Sequence, residues 1–388
     1  MLKNYNLIFI IPLLLFACNG ETNLKRETKT VLGELILQNA DKAMDELPVT
    51  VTASVCERSA GGKHDFYSEG DYWWPNPEDP DGPYIRRDGE TNPENFVAHR
   101  LSMIRFNKIV GTLASAYLIS GDERYVEHAF THIKAWFTDT ATMMNPNLLY
   151  AQAIKGITTG RGIGIIDTIH LMEVAQGIIC MQNASCVNKD ELDAIKAWFA
   201  AYLAWLTTHP YGIDEMNAEN NHGTCWVMQV ASFARLTDNA QILAMCRDRY
   251  KEVLLPGQMA ENGSFPRETS RTKPYGYSLF NLDAMTMVCQ ILSEPGNDLW
   301  EYTTDNGLNI GKGIDFMVPY IRDKSAWPFT EDVMYWNDWP VAQPSLLFAA
   351  IRYKDLAYFD LWKPLNHNPT VPEVERNMPV RNPLIWIN

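Results

Sequence analysis

The sequence has few cysteines, and none of them has the spacing of a metal site. Seven cysteines occur in 388 residues and no two form a C-x-x-C pair. His99, His170 and His209 have no metal-binding residue type four positions later. Protein sites for zinc or iron usually combine such ligands at short spacings. We therefore expect neither a metal ion nor a cofactor.

Positive charge is also scarce. Lys and Arg number 33 against 47 Asp and Glu, which gives a formal net charge of −14. This balance argues against nucleic acid as a partner, because such proteins carry an excess of basic surface. It also opposes the long-range attraction of an anionic substrate. Any acidic polymer must therefore be held by a local cluster of Arg, Lys and His.

No apolar run is long enough to cross a membrane. The run at residues 7–16 is shorter than the roughly 20 residues of a spanning helix. Lys3 precedes it, and it leads into Leu-Phe-Ala-Cys ending at Cys18, which is typical of a bacterial lipoprotein cleavage site. We expect a signal peptide at 1–17, a lipidated Cys18, a flexible polar tether at 18–30, and a lipid-anchored protein of the periplasm or outer membrane. An ordinary secretory signal with a chance cysteine is the alternative.

Linkers and alternating strand patterns are absent too, so residues 31–388 are predicted to form one domain. Helices separated by short turns recur at 120–122, 237–238 and 352–354, which is typical of stacked αα-hairpins. We find no period of about 34 residues, as a tetratricopeptide solenoid would require. The pattern indicates an all-α fold, an (α/α) toroid. Apolar spacing predicts helices at 31–47, 101–119, 123–137, 163–180, 189–208, 227–236, 240–253, 277–292, 311–321, 346–351 and 356–362.

The remaining cysteines fall into two groups. Cys180 and Cys186 have a spacing that permits a short disulfide loop in an oxidising compartment, and the sequence leaves open whether it forms. Cys225, Cys246 and Cys289 lie within apolar helical patterns and are predicted to be buried thiols.

Three long loops interrupt the helices, at 67–95, 156–164 and 257–277. Long loops in a compact domain are usually functional or disordered, and the first is too rich in tryptophan for disorder. The chain has 12 Trp, 17 Tyr and 15 Phe. Aromatic rings pack in cores and also stack on the apolar faces of sugars. Four candidates for either role are Trp73, Trp74, Trp336 and Trp339.

Two short segments combine the residue types that a proton abstraction next to a carboxylate requires. Asn220-Asn221-His222 precedes an apolar helical run, where an Asn is also a favoured N-cap. About fifty residues later the third loop carries two arginines and two tyrosines. A cation beside a phenol lowers its pKa and favours its use as a general base. The four residues are Arg267, Arg271, Tyr275 and Tyr277.

Several longer motifs accompany these segments. Arg161 lies in Thr-Gly-Arg-Gly, where it either holds a sugar carboxylate or caps a helix through an ion pair. The others are Asp-Tyr-Trp-Trp-Pro-Asn-Pro from Asp71, Pro-Tyr-Ile-Arg-Arg-Asp-Gly from Pro83, Asn-Pro-Glu from Asn92, and Gly-x-x-Pro-x-Glu from Gly263 to Glu268.

Together these motifs resemble the alginate lyase superfamily, namely polysaccharide lyase families 5 and 38, with family 38 the more similar. The resemblance covers the mature chain. It implies an (α/α) toroid of six or seven antiparallel helix pairs and β-elimination on polymers of 1,4-linked uronic acids, alginate or glucuronan. The chain departs from family 5 in having Pro-Tyr-Gly-Tyr-Ser from Pro274 to Ser278, so the choice between Tyr275 and Tyr277 rests on the family 38 pattern, which favours Tyr277.

The resemblance also implies residue roles. Asn221 and Arg271 would hold the C5 carboxylate, His222 would neutralise it or act as base, and Tyr277 would act as general acid or base. These groups suit the chemistry, because removing the C5 proton makes a dianion that only donors can stabilise. Substrate-binding roles are expected for Tyr275, Arg161, Trp73, Trp74, Asn220, Arg267, Trp336 and Trp339.

Two other functions stay open from the sequence. One is a SusD-like glycan-binding lipoprotein, which would have no need of His, Arg and Tyr at one sugar. The other is a glycoside hydrolase on the same toroid, with its carboxylate pair drawn from Glu331, Asp332 and Asp338.

Overall fold

The computed structural model describes the backbone of residues 13–387 and the side chains of residues 20–387. The predicted signal peptide lies mostly outside the described residues, and so does the side chain of Cys18. The α-helices are α1 (Leu13–Ala43), α2 (Ala98–Ser120), α3 (Glu123–Phe137), α4 (Leu171–Met181), α5 (Lys189–Thr208), α6 (Pro210–Met216), α7 (Asn221–Leu236), α8 (Ala240–Arg249), α9 (Leu255–Gln258), α10 (Pro266–Thr269), α11 (Pro274–Leu292), α12 (Ile310–Arg322), α13 (Pro344–Tyr353), α14 (Leu356–Trp362), α15 (Pro372–Arg376) and α16 (Leu384–Ile387).

The long helices form a closed ring. Along it α2 packs against α4, α4 against α7, α7 against α11 and α11 against α13, while α1 contacts both α13 and α2 and closes the circle. Helices α3, α8 and α14 each follow an inner helix after a short turn and pack back against it, which makes each pair antiparallel. A single hydrophobic core runs from Leu24 to Ile387. The all-α (α/α) toroid is confirmed.

Local signals explain where several helices begin and end. Gly121 ends α2 in the left-handed conformation with φ of +72°, and Asp122 caps α3 by accepting a hydrogen bond from the backbone N–H of Arg124. The predicted helix at 240–253 changes to π-helix over Tyr250–Leu254. Pro256, which has no N–H to donate, follows this change of register.

The segment predicted as a flexible tether differs in the structure, because residues 18–30 lie within α1. Leu24 and Thr28 are buried, and the same face continues with Leu32, Ile36 and Ala40. A spacing of four places these residues on one stripe, which packs against α2 and α13. The polar residues between them lie on the exposed face of α1. They make the overall composition of the segment polar, which is why the apolar stripe was not recognised from the sequence.

The cysteines are free thiols within the described residues. Cys180 lies with its Sγ 3.5 Å from the carbonyl oxygen of Ile385, and Cys186 contacts the backbone of Glu123 instead. The possible disulfide between them is therefore not formed. Cys225, Cys246 and Cys289 are buried, as predicted.

Among the described residues, no single helix is both long and apolar enough for a membrane span, and one bent pair, Gly162–Thr168 with Leu171–Met181, passes by length and composition only.

Short strands hold the long loops against one end of the ring. The strands are β1 (Tyr67–Glu69), β2 (Trp73–Trp74), β3 (Ile85–Arg86) and β4 (Tyr150–Ala153). β1 pairs in parallel with β4, and β2 pairs antiparallel with β3. The first pairing joins the loop at 67–95 to the chain just before the loop at 156–164. Short 3₁₀ segments lie at Val51–Ala53, Gly162–Thr168, Lys324–Ala326 and Trp336–Asp338.

Candidate active site

A cavity of about 360 Å³ opens where the three loops meet the ring. All three contribute to its wall, together with the beginnings of α7 and α11 and the end of α15. The three loops were predicted to be functional, and all three meet at this cavity. The polar and aromatic wall residues are Asp71, Tyr72, Trp73, Arg86, Gln152, Arg161, Asn220, Asn221, His222, Arg271, Tyr277, Phe280, Arg376 and Asn377.

The first turn of α7 presents Asn221. Asn220 is the N-cap, and its side chain accepts from the backbone N–H of His222 at 3.3 Å. The Asn221 amide Nδ2 and backbone N–H each donate to the Glu268 carboxylate at 2.7 Å. Burial raises the pKa of Glu268, partly offset by these bonds. Glu268 thus fixes the orientation of the amide and leaves its second N–H free to donate.

A carboxylate on the neighbouring helix α6 positions His222. Its Nδ1 lies 2.6 Å from Oε1 of Glu215 on α6, whose side chain is 1% exposed. The ring itself is 16% exposed and lines the cavity. His222 therefore faces the cavity with one nitrogen already engaged.

Arg271 connects the third loop to the first. Its guanidinium donates to Asp88 at 2.9 Å and to the Tyr277 hydroxyl at 3.3 Å, and it stacks 4.2 Å from the centroid of the Tyr277 ring. Among the described residues its Nη1 has no hydrogen-bond partner. This nitrogen remains free for an anionic ligand.

Tyr277 lies at the centre of the site. Its hydroxyl accepts from Arg271 and donates to the hydroxyl of Tyr72 at 2.8 Å. Burial, followed by the neighbouring Tyr72, raises the pKa of Tyr277 well above its ordinary value, although Arg271 opposes this. The predicted lowering of the phenol pKa by arginine is therefore wrong, because desolvation outweighs the cation. Tyr277 carries its proton in the unliganded site.

A buried ionic cluster supports the wall beneath these residues. Arg100 donates two hydrogen bonds of 2.6 and 2.9 Å to the Asp71 carboxylate, and Arg376 forms an ion pair with the same carboxylate at 2.8 Å. Burial alone would raise the pKa of Asp71, but the two guanidinium groups hold it at about 2. Lys273 and Glu373 pair at 2.5 Å beside them. Lys273 also lies over the Tyr72 and Tyr277 rings, within 5.5 Å of both centroids.

Arg161 is placed in the cavity wall, as its motif suggested. Its guanidinium donates to the side chain of Gln152 at 2.8 Å and lies 5.9 Å from the centroid of the Trp73 ring. No carboxylate pairs with it among the described residues. Burial lowers its pKa, because a charge there is poorly hydrated. The helix-capping ion pair considered from the sequence is not formed.

Two predicted substrate residues lie outside the cavity wall, Tyr275 in the protein interior and Trp336 half-buried beside it. Tyr275 is fully buried, donates from its hydroxyl to the carbonyl of Tyr320, and packs edge-on against Trp327 and Trp336. Trp336 is covered by the ammonium of Lys324, 4.3 Å from its ring centroid. Neither residue lines the cavity. Tyr275 lies two positions before Tyr277 on α11 and therefore on a different face of that helix.

Three more candidates also lie away from the cavity wall. Trp74 donates to the carbonyl of Glu90, Trp339 is 5% exposed, and Arg267 is exposed and pairs with Glu219. Asp332, considered for a glycosidase pair, accepts from the backbone N–H groups of Tyr275 and Gly276 and so caps α11.

Sequence reasoning missed several residues of the wall, and it also missed Glu215, which lies outside the wall and contacts His222. Tyr72 and Asp71 stood within a quoted motif without a role, and the acidic Glu215 precedes Asn220 by five positions. Gln152 and Arg376 carry no local signal. Their place in the site depends on contacts between distant segments of the chain.

Comparisons with known proteins agree with this geometry. The family model described as alginate lyase matches residues 50–327, well over half of the chain. The chain belongs to the alginate lyase family. It is similar to an alginate lyase from Bacteroides ovatus at 32% identity, with 95% of this chain and 97% of that chain covered and a TM-score of 0.81. No curated protein sequence matches significantly.

Two more distant structures share the fold. A variant of alginate lyase A1-III complexed with a tetrasaccharide is 15% identical, covers 88% of both chains and has a TM-score of 0.58. Alginate lyase A1-III from Sphingomonas species A1 is 16% identical, with 90% and 94% of the chains covered and a TM-score of 0.54.

This alginate lyase family member is a polysaccharide lyase. Neither the glycan-binding lipoprotein nor the glycoside hydrolase is favoured. Membership of family 38 in particular stays a prediction.

Proposed function

We propose that this lyase cleaves 1,4-linked polyuronates, alginate or glucuronan, by β-elimination in the cavity at the end of the toroid. One observation carries the proposal. Asn221, His222, Arg271 and Tyr277 line the same cavity although two separate segments supply them. An amide, an imidazole, a guanidinium and a phenol around one sugar are the groups this reaction needs.

Charge stabilisation is assigned to Asn221 and Arg271. The free N–H of the Asn221 amide and Nη1 of Arg271 would donate to the C5 carboxylate of the sugar. As the C5 proton leaves, that carboxylate gains negative charge, and each fixed donor stabilises it by a few kcal/mol. Glu268 and Asp88 hold the two donors in place before the substrate arrives.

Proton transfer is assigned to Tyr277 and His222. The proton that Tyr277 retains suits it to protonate O4 as the bond from C4 to O4 breaks. Where the C5 proton and O4 lie on the same face of the ring, as in mannuronate and glucuronate, the Tyr277 oxygen would accept the C5 proton while the proton that Tyr277 already carries passes to O4. Where they lie on opposite faces, as in guluronate, His222 would take the C5 proton.

Positive charge around the cavity compensates locally for the net charge of −14. Four arginines line the cavity, namely Arg86, Arg161, Arg271 and Arg376. Arg86 and Arg271 pair with Asp88 and Arg376 pairs with Asp71, whereas Arg161 has no carboxylate partner among the described residues. An unpaired cation in a poorly hydrated wall attracts a carboxylate strongly at short range even when the whole molecule is acidic. The cluster therefore supports a polyuronate substrate.

The location is part of the proposal. We retain the signal peptide at 1–17, the lipidated Cys18 and a periplasmic or outer-membrane, lipid-anchored protein, on the strength of the cleavage motif. Labelling cells with a clickable fatty acid tests it. The wild-type chain should take up the label and Cys18→Ser should not, and an unlabelled wild type would overturn the anchor.

The function itself is tested by incubating the purified protein with polymannuronate, polyguluronate and glucuronan. β-Elimination creates a C4=C5 double bond in each product, and its ultraviolet absorbance reports turnover directly. Absence of this absorbance with every polyuronate would overturn the proposal.

Tyr277→Phe then tests the residue assignment. It should lower kcat by roughly 10²- to 10⁴-fold, because the general acid is lost while the ring still packs under Arg271. Tyr320→Phe, outside the cavity, is the matched control and should stay active. A Tyr277→Phe protein with full activity would leave the function intact but refute this role.

A further inference from the structure

We infer that Glu215 is a positioning residue that fixes the tautomer of His222, so that the ring presents the lone pair of Nε2 to the sugar. The inference rests on the proposed function and deepens it. It concerns which atom of His222 acts and what sets that atom. The bond between Oε1 of Glu215 and Nδ1 of His222, 2.6 Å long, is the observation behind it.

The geometry gives the bond one direction. Glu215 is 1% exposed, so its carboxylate has little water to satisfy it and needs a donor. An ionised carboxylate only accepts hydrogen bonds, so Nδ1 must carry the hydrogen. In a neutral imidazole the other nitrogen then has no hydrogen.

Nε2 is the nitrogen available to a ligand. Among the described residues Nε2 has no hydrogen-bond partner. It is not a buried atom either, so a ligand can reach it. The ring lines the cavity, so this nitrogen can meet a sugar without displacing a protein contact. In the neutral ring, Glu215 therefore leaves Nε2 with a lone pair, so that this nitrogen can act as the base.

The backbone is built to hold the two side chains together. α6 contacts α7 directly. A Cβ at Gly223 would clash with the carbonyl oxygen of Ala218, so only glycine lets the start of α7 approach the end of α6 this closely. Arg249 from α8 donates to the carbonyl of Met216 and fixes the end of α6. These contacts set the distance between Glu215 and His222 before any substrate binds.

The reaction step balances. Nε2 takes the C5 proton, the electron pair of the C5–H bond forms the C4=C5 double bond, and the C4–O4 bond breaks. O4 takes the Tyr277 proton. The imidazolium that results carries its charge beside the Glu215 carboxylate, which stabilises it. Polyguluronate is the substrate that needs this route, because its C5 proton and O4 lie on opposite faces.

The first experiment reads the tautomer without any turnover. The full chain is labelled with ¹⁵N-histidine, and the His222 signals are assigned by comparison with His222→Gln among the eight histidines. We expect hydrogen on Nδ1 in the neutral ring. A neutral ring with hydrogen on Nε2 would overturn the inference, whether or not the protein cleaves polyuronates.

The second experiment changes the partner. In Glu215→Gln the amide can either accept from Nδ1–H or donate to Nδ1, so the tautomer is no longer fixed, and the imidazolium formed on proton transfer loses its neighbouring carboxylate. On polyguluronate we expect kcat to fall by roughly 10- to 100-fold with KM within about twofold. Unchanged kcat would refute the positioning role. Asp214→Asn removes a charge from the neighbouring, exposed position on α6 and should have no effect.

A double variant separates positioning from a general effect on folding. If Glu215 acts only through the imidazole, then adding Glu215→Gln to His222→Ala should lower kcat no further. Additive losses would mean that Glu215 acts on something else. A wild-type protein that is inactive on all polyuronates would instead refute the proposed function while leaving the tautomer result standing.

Discussion

The hydroxyl of Tyr277 donates a 2.8 Å hydrogen bond to the hydroxyl of Tyr72, which lies 205 positions earlier in the chain. The two phenols come from different parts of the fold, the first long loop and the start of α11. Lys273 lies close to both rings. Tyr72 is therefore the group that receives the Tyr277 hydrogen before substrate binds.

We predict that Tyr72→Phe lowers kcat on polymannuronate by about tenfold or more, because Tyr277 loses the acceptor that orients its hydroxyl. The phenylalanine ring would keep the packing over Lys273, so the melting temperature should change little. Initial rates from product absorbance measure the effect. Tyr84→Phe, in the same loop and outside the cavity, is the control. Equal rates for Tyr72→Phe and wild type would show that the contact has no part in catalysis.

Much of this site was predictable from local motifs. Asn221, His222, Arg271 and Tyr277 each sit in a short segment whose residue types fit the chemistry, and the structure brings all four to one cavity. The helices were predictable for the same reason, since apolar spacing is a local property. The stripe beginning at Leu24 was missed because polar residues surround it.

The features of the site that could not be predicted from the sequence depend on contacts between distant segments of the chain. Residue type and spacing do not separate Tyr275 from Tyr277, so the choice of Tyr277 rested on the family resemblance; the orientation of α11 places Tyr277 and not Tyr275 in the cavity wall. Asp71 becomes part of the wall through Arg376, which lies about three hundred residues away. The pKa of Tyr277 was mispredicted because nearby cations can be read from a sequence whereas burial cannot.

Arg161 gives a prediction about binding. Without a carboxylate partner among the described residues, its charge is available to a neighbouring uronate, so Arg161→Met should raise KM by roughly tenfold with little change in kcat. Michaelis–Menten curves on one polyuronate measure both constants. Arg322→Met, exposed at the end of α12, is the control. A lower kcat at unchanged KM would place Arg161 at the reacting sugar instead.

The ionic cluster gives a prediction about stability. Arg100→Met leaves the buried carboxylates of Asp71 and Asp167 without their shared partner, and breaking a buried pair costs about 3–5 kcal/mol. Urea denaturation of both proteins measures the difference in the free energy of unfolding. Arg124→Met breaks an ion pair whose arginine side chain is 78% exposed, so the free energy of unfolding should stay nearly unchanged. Equal losses for the two variants would contradict the structural role of the cluster.

Asp283 gives a prediction about pH. It lies on α11, is 1% exposed, and accepts from the backbone N–H of Ser345. Burial raises its pKa from 3.8 to about 7, although the bonds from Ser345 oppose the shift. Because the folded pKa exceeds the unfolded one, the protonated carboxyl favours folding. The stability it contributes is complete below 3.8 and is lost as the pH rises through about 7.

Asp283→Asn has a similar shape and does not titrate. We therefore expect its free energy of unfolding, relative to the wild type, to increase by a few kcal/mol between about pH 4 and about pH 8. All other carboxylates titrate in both proteins and cancel in this difference. Urea denaturation across the range measures it, with Asp248→Asn on the exposed face of α8 as the control. A difference that stays constant with pH would mean that Asp283 is ionised in the folded protein throughout, stabilised by contacts beyond the bonds from Ser345.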